Sequence, residues 1–231
     1  PFWNVAGFAL GAATAAMEGN QSAMVADADG SRQVTILFPP GTGAHMVESC
    51  DDPAATQPLA SMAVRATEYT VGECGPKAMP AALPPQSAYT YAVELSVDEA
   101  LAGNAPRAEC DQPGIVAGAT YGRRPAGSPV PSGYYDACTP CWTPSESGII
   151  LDIVGESGGL AEIDTDGDSL ADDQATLDAL AITTGELEQL AQLYDVGQSL
   201  SRVRTTHFTP FDFNHGWGPA GPGPELATIG T

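Results

Sequence analysis

The sequence predicts a mainly β protein, an antiparallel β-sandwich carrying a calcium-loop and helical-pair insertion before its last strand. Three observations lead there. Short runs rich in β-branched and aromatic residues are bounded by Pro and Gly turn signals. The apolar period becomes helical only between residues 172 and 194. A dense cluster of aspartates, Asp164 to Asp173, stands directly before that change.

Residues 1–30 read as an apolar N-terminal arm or edge strand, with Phe2, Trp3 and Phe8 among Ala and Gly. The sandwich proper is expected over residues 31–155. Gln33 to Phe38 is a short strand, ended by Pro39, Pro40 and Gly41. Met62 to Val71 alternates and is rich in β-branched and aromatic side chains, which favours a strand. Tyr89 to Val97 alternates more cleanly, with Tyr91, Val93, Leu95 and Val97 on one face. The Gly- and Pro-dense stretch from Cys110 to Ser132 reads as a long loop with one edge strand. Gly133 to Asp136 and Cys141 to Thr143 are two arms of a hairpin, with Ala137 to Pro140 at its tip. Ile149 to Val154 is a short buried strand.

Residues 156–200 hold the acidic loop and two helices, Asp172 to Ala181 and Gly185 to Tyr194. Thr183 and Glu186 have capping-box spacing for the second helix. A closing strand is expected over residues 201–215, and residues 216–231 are a Gly/Pro-rich tail.

The acidic loop carries the one clear chemical signature. Asp164, Asp166, Asp168 and Asp172 fall at positions 1, 3, 5 and 9 of a calcium loop, and Leu170 at position 7 would give its backbone carbonyl. Closely spaced carboxylates repel, and a hard Ca²⁺ ion with six to eight oxygen ligands cancels that repulsion. The pattern departs from an EF-hand at two places: Ser169 replaces Gly at position 6 and Ala175 replaces Glu at position 12. Asp173 is the expected source of the missing oxygen. The competing reading is a solvated acidic turn with Asp172 as helix N-cap.

Composition bounds the partners. The 231-residue chain has 29 acidic and 8 basic side chains, for a formal net charge of −21. Such a surface repels nucleic-acid phosphates and anionic membranes, so neither is an expected partner. Hydrophobic content of 43% sets the chain apart from a disordered acidic tail. No apolar run is long enough to insert in a membrane as a helix. The five cysteines are Cys50, Cys74, Cys110, Cys138 and Cys141, and most stand in turn-like contexts. They predict an oxidising compartment, extracellular or cell-surface, with two disulfides and one thiol left over. For the Cys138–Cys141 pair a local disulfide stapling the turn is expected, ahead of half a zinc site or a redox centre. Pro1 follows no methionine and the next residues lack a basic region, so either a leader has been removed or the chain is part of something longer. No zincin or P-loop motif is present in the sequence.

Several phrases together resemble the N-terminal region of large secreted bacterial YD-repeat (Rhs-family) proteins. They include Arg65 to Gly72, Ala78 to Pro85, Ser87 to Ala100, Gly133 to Asp136, the Asp164–Asp173 loop, Gly197 to Leu200 and His207 to Asn214. The layout is more distantly similar to ZU-type β-sandwiches, with a Pro-Pro-Gly strand end, a Tyr-Tyr-Asp and Trp hairpin, and a closing His-Phe-Thr strand. The resemblance implies an extracellular, non-catalytic module that supports larger assemblies.

The expected function is therefore a calcium-stabilised structural or interaction module, not an enzyme, whose partners are other protein subunits, including copies of itself. Adhesion, a surface layer or a filament would suit it. The alternative is a secreted polysaccharide-binding or polysaccharide-processing module, with Trp142 and Trp217 stacking on sugar rings. A third reading is a zinc or redox protein built on Cys138 and Cys141.

Overall fold

Runs of β-branched and aromatic residues become strands along most of the chain. The computed structural model describes residues 2–9, 16–27, 30–70, 75–83, 87–119 and 124–216. The first half contributes β1 (Phe2–Ala9), β2 (Glu18–Gln21), β3 (Val25–Asp27), β4 (Gly30–Arg32), β5 (Val34–Phe38), β6 (Ala44–Val47), β7 (Thr56–Leu59), β8 (Ser61–Glu68) and β9 (Ser87–Val97). Short helix α1 (Asp98–Ala102) leads to β10 (Arg107–Ala119), β11 (Pro129–Asp136), β12 (Cys141–Ser157) and β13 (Leu160–Asp164). Helices α2 (Gln174–Ala179) and α3 (Thr184–Leu193) follow, and then β14 (Ser199–Phe208) and β15 (Pro210–Gly216).

The fold is mainly β and antiparallel, as expected, but two stacked sheets are not what forms. Thirteen strands join in one curled sheet, a half-barrel, with the path β1-β8-β9-β15-β11-β12-β14-β10-β5-β2. β13 adds to β12, and β6 links β10 to β7. The reason lies in β12, whose 17 residues run past both halves. It pairs with β11 through Cys141–Ile149, with β14 through Ile149–Asp152, and with β13 through Asp152–Ser157. Alternation along these strands fills the curl with Val64, Leu95, Val116, Ile150, Val203 and Phe211. The next residue on β12, Leu151, faces the other way into a second cluster with Ile153, Ile163, Leu187 and Leu190. β12 is thus covered on both faces, which explains its unbroken Ile-Ile-Leu run.

The stretch from Cys110 to Ser132, expected as a long loop with one edge strand, instead supplies most of β10, an interior strand that pairs with β14, β5 and β6. Pro113 gives this strand the look of a loop in sequence. It lies in the register break between Glu109 and Gly114, where a missing N–H costs no ladder bond. Gly114 permits close packing: a Cβ there would sit 3.1 Å from the Phe38 ring and 3.3 Å from the Leu37 carbonyl oxygen. β13 is also new. It turns back from β12 through Gly158 and Gly159, both at positive φ (63° and 84°), with Ser157 opposite Leu160.

The helical pair stands where expected, between β13 and the closing strands, but α2 starts later. Its N-cap is Asp173, whose carboxylate accepts from the Thr176 N–H, and not Asp172. Thr183 caps α3 by accepting from the Glu186 N–H. The Glu186 side chain turns inward to Arg202 on β14, with contacts of 2.5 and 2.9 Å. Arg202 also donates to the carbonyls of Leu180 and Ala181 at the end of α2, so one guanidinium fastens both helices to the sheet. The closing segment divides into β14 and β15 at Thr209. β1 lies at one end of the strand path, paired with β8 of its own chain. The tail from residue 217 onward lies outside the described residues.

Candidate metal centre

The acidic loop leaves the end of β13 and closes before α2. Asp164, the last residue of β13, is 1% exposed, yet its carboxylate is held by backbone donors. Its Oδ1 accepts from the N–H groups of Asp166 (3.0 Å) and Gly167 (2.7 Å), and its Oδ2 from Ser169 (2.8 Å). Burial pushes the Asp164 carboxyl up, but the backbone bonds from Gly167, Ser169, Asp166 and Asp168 outweigh it and hold the group below the usual range. Asp166 Oδ1 accepts from the Asp168 N–H, and Asp168 Oδ1 from the Leu170 N–H. Asp172 Oδ2 accepts from the Thr165 N–H at 2.8 Å and from its hydroxyl. The Asp172 N–H closes the loop on the Ile163 carbonyl at 2.8 Å.

These turns bring Asp164, Asp166 and Asp172 together, each offering a carboxylate oxygen within 4.8 Å of the others. Among the described residues no other group of three His, Cys, Asp or Glu side chains is so placed. Gly167 has φ of 88° and Ser169 of 65°, so Ser169 holds the left-handed conformation that position 6 requires without the expected glycine. The donor set is all oxygen and all anionic, and it fits a hard cation. Asp168 and Asp173 do not join the group. Asp173 is engaged at its helix cap, and Leu170, expected to offer its backbone carbonyl, donates its N–H to Asp168 Oδ1.

Asp152 is an acid that the spacing within the loop does not reveal. It lies opposite Asp164 in the β12–β13 register, and its Oδ1 is buried without a hydrogen-bond partner among the described residues. Directly paired residues of antiparallel strands share a face, so this oxygen adds to the acidity beside the loop. Only the Gly158-Gly159 turn signal, which implies β13, could have revealed it from sequence.

The cysteines pair differently from the expectation. Cys138 bonds to Cys50, 88 residues away with Cα atoms 5.3 Å apart, and not to Cys141. Asp136 accepts from the Cys138 N–H (2.9 Å) and the Thr139 hydroxyl (2.8 Å), fixing the turn, while Cys141 pairs with Asp136 in the ladder. Cys141 is an exposed thiol and Cys110 a buried one, so among the described residues there is one disulfide where two were expected. Cys74 lies outside the described residues. Neither the local Cys138–Cys141 staple nor a zinc half-site there matches this pairing.

The Trp142 ring is occupied within the fold. It meets Tyr135 edge-on at 5.6 Å, and its Nε1 donates to the Ala81 carbonyl at 3.3 Å. Trp217 lies outside the described residues. His45 Nε2 approaches Glu109 at 3.4 Å, and His207 packs between Tyr134 and Phe211. Among the described residues no helix is long and apolar enough to cross a membrane.

No family model, curated protein or solved structure matches the chain.

Proposed function

We propose that this chain is an extracellular, non-catalytic structural or interaction module, braced by a calcium ion bound at Asp164, Asp166 and Asp172. The acidic loop carries the reading: its carboxylates are oriented by backbone N–H groups and converge within 4.8 Å, between the end of β13 and the start of α2. An ion there would tie the helical pair to the sheet. The YD-repeat resemblance supports a supporting role within a larger assembly, and the partners we assign are other protein subunits, including copies of this chain. The Cys50–Cys138 bond suits an oxidising compartment, which supports the extracellular placement.

The test is to size and image the purified protein, by light scattering and negative stain, in calcium and then in excess EDTA. Ordered assemblies that loosen in EDTA, together with a lower Tm, are expected. A monodisperse monomer whose Tm ignores both additions would defeat the assembly and calcium readings together.

A further inference from the structure

At the β11–β12 hairpin tip a long-range disulfide and a free cysteine stand three residues apart along the chain. Cys50 follows β6 and Cys138 sits in the turn, and these two are bonded. Cys141 opens β12 only three residues after Cys138, as a free, exposed thiol. Neither half of the disulfide is buried, since Cys50 is exposed and Cys138 half-exposed. The Thr139 hydroxyl lies between Cys138 and Cys141 in sequence and 3.4 Å from the Cys141 sulfur. Cys110 is buried and its thiol is pushed up to about 12, first by burial and then by Asp111, so it is a poor nucleophile.

We propose that Cys50, Cys138 and Cys141 form a thiol–disulfide relay in which Cys141 displaces Cys50 from Cys138 and releases the loop 48–55 from the hairpin tip. Cys141 loses its proton to solvent and its thiolate attacks the Cys138 sulfur. A Cys138–Cys141 bond forms as the Cys50–Cys138 bond breaks. The electron pair leaves on the Cys50 sulfur, which takes a proton from water. One disulfide and one thiol exist before and after, so the step needs no oxidant or reductant.

The released element is well defined. β7 pairs only with β6 among the described strands, and the segment joining them carries Cys50. That segment has its own bonds, from the Glu48 N–H to the Ala55 carbonyl (2.9 Å) and from the Ala55 N–H to the Asp52 carbonyl (3.0 Å). It can therefore leave the hairpin tip as a formed loop while β6 stays paired with β10. The Cys50–Cys138 bond spans the sheet path from β10 to β11, whereas the Cys138–Cys141 bond would close only the local turn. The exchange thus converts a long-range tether into a local one.

The full chain is incubated across mildly acidic to mildly alkaline pH, quenched with acid, labelled with N-ethylmaleimide and digested without reduction. Mass spectrometry then reads which cysteine carries the label. Label moving from Cys141 to Cys50, with a matching yield of Cys138–Cys141-linked peptide, is expected. The rate should rise with pH, because the thiolate and not the thiol attacks a disulfide. Deuterium uptake over residues 48–55 should rise with the Cys50 label. In Cys141→Ser, an exposed substitution, label on Cys50 should vanish. Label confined to Cys141 at every pH, Cys50 label that persists in Cys141→Ser, or unchanged uptake over the loop would each overturn the relay.

Discussion

His207 sits among rings and not in water. Its imidazole meets Tyr134 edge-on at 4.4 Å and stacks on Phe211 at 5.1 Å, while Nδ1 lies 3.1 Å from the Thr209 hydroxyl. Burial pushes its pKa down to about 4, and Arg107 adds to the effect while Glu109 and Asp136 oppose it. The unfolded chain takes up this proton near pH 6.5, well before the folded one does. The contribution is therefore complete above about pH 6.5 and is lost as the pH falls toward 4, an effect on the order of 2–3 kcal/mol. Carboxylates begin to titrate in the lower part of the same window, so the readout is a difference between proteins. Thermal melts from pH 7 to pH 4 should fall more steeply for the wild type than for His207→Gln, by roughly 5–10 °C across the range. Parallel curves would show that His207 carries no such penalty. Single residues of the acidic loop were partly legible in sequence. The spacing of Asp164, Asp166 and Asp172 pointed to the group that forms, because a turn held by Asx bonds depends on local sequence alone. The part played by Asp173 was not legible, because a carboxylate one residue from a helix start serves a cap or an ion equally well in sequence.

At the scale of elements, one buried ion pair decides how the helices meet the sheet. Glu186 and Arg202 are 1% and 4% exposed, and Arg202 also satisfies two carbonyls at the end of α2. Burying both charges is costly, so the pair gives a modest net gain, but removing one partner strands the other. Arg202→Met should destabilise by about 3–5 kcal/mol, whereas adding Glu186→Leu to it should recover much of that loss. Equilibrium urea unfolding checks this; equal stability of the single and double variants would show that the stranded carboxylate costs nothing. The same pair shows what sequence leaves hidden. Thr183 and Glu186 read as a capping box, and the Thr183 half forms, but a partner from β14 takes the Glu186 side chain. β5, β8 and β9 were legible because β-branched and aromatic residues mark all three, with clean alternation added in β9. β10 was not, because Pro113 and its glycines mask a strand whose neighbours β14, β5 and β6 come from distant sequence. The single curled sheet was hidden for a related reason: an inward-facing alternation looks the same whether the opposing residues belong to a second sheet or to the far side of a bent one.

Over the whole molecule the governing quantity is charge. A chain with a formal net charge of −21 repels itself in the compact state, and dissolved salt weakens that repulsion. The Debye length falls from about 30 Å at 0.01 M to about 3 Å at 1 M, so stability should rise with sodium chloride whatever the acidic loop does. Calcium would also screen, and a bare rise in Tm on adding calcium would therefore say little. Matching ionic strength separates the two effects. A specific site saturated at about 100 times its Kd adds about 2.7 kcal/mol to the folded state, or roughly 5–10 °C for a chain of this size. Asp166→Asn with Asp172→Asn is the informative control. The turn bonds at these residues each use a single carboxylate oxygen, which an amide oxygen can replace, while two anionic ligands are lost. The double variant should keep the sodium chloride response and lose the extra increment from calcium. It should also be more stable than the wild type in EDTA, because two crowded charges have gone. A calcium increment of equal size in both proteins would mean that the ion acts through the general acidic surface, and Asp164, Asp166 and Asp172 would then be an acidic helix approach with no resident ion.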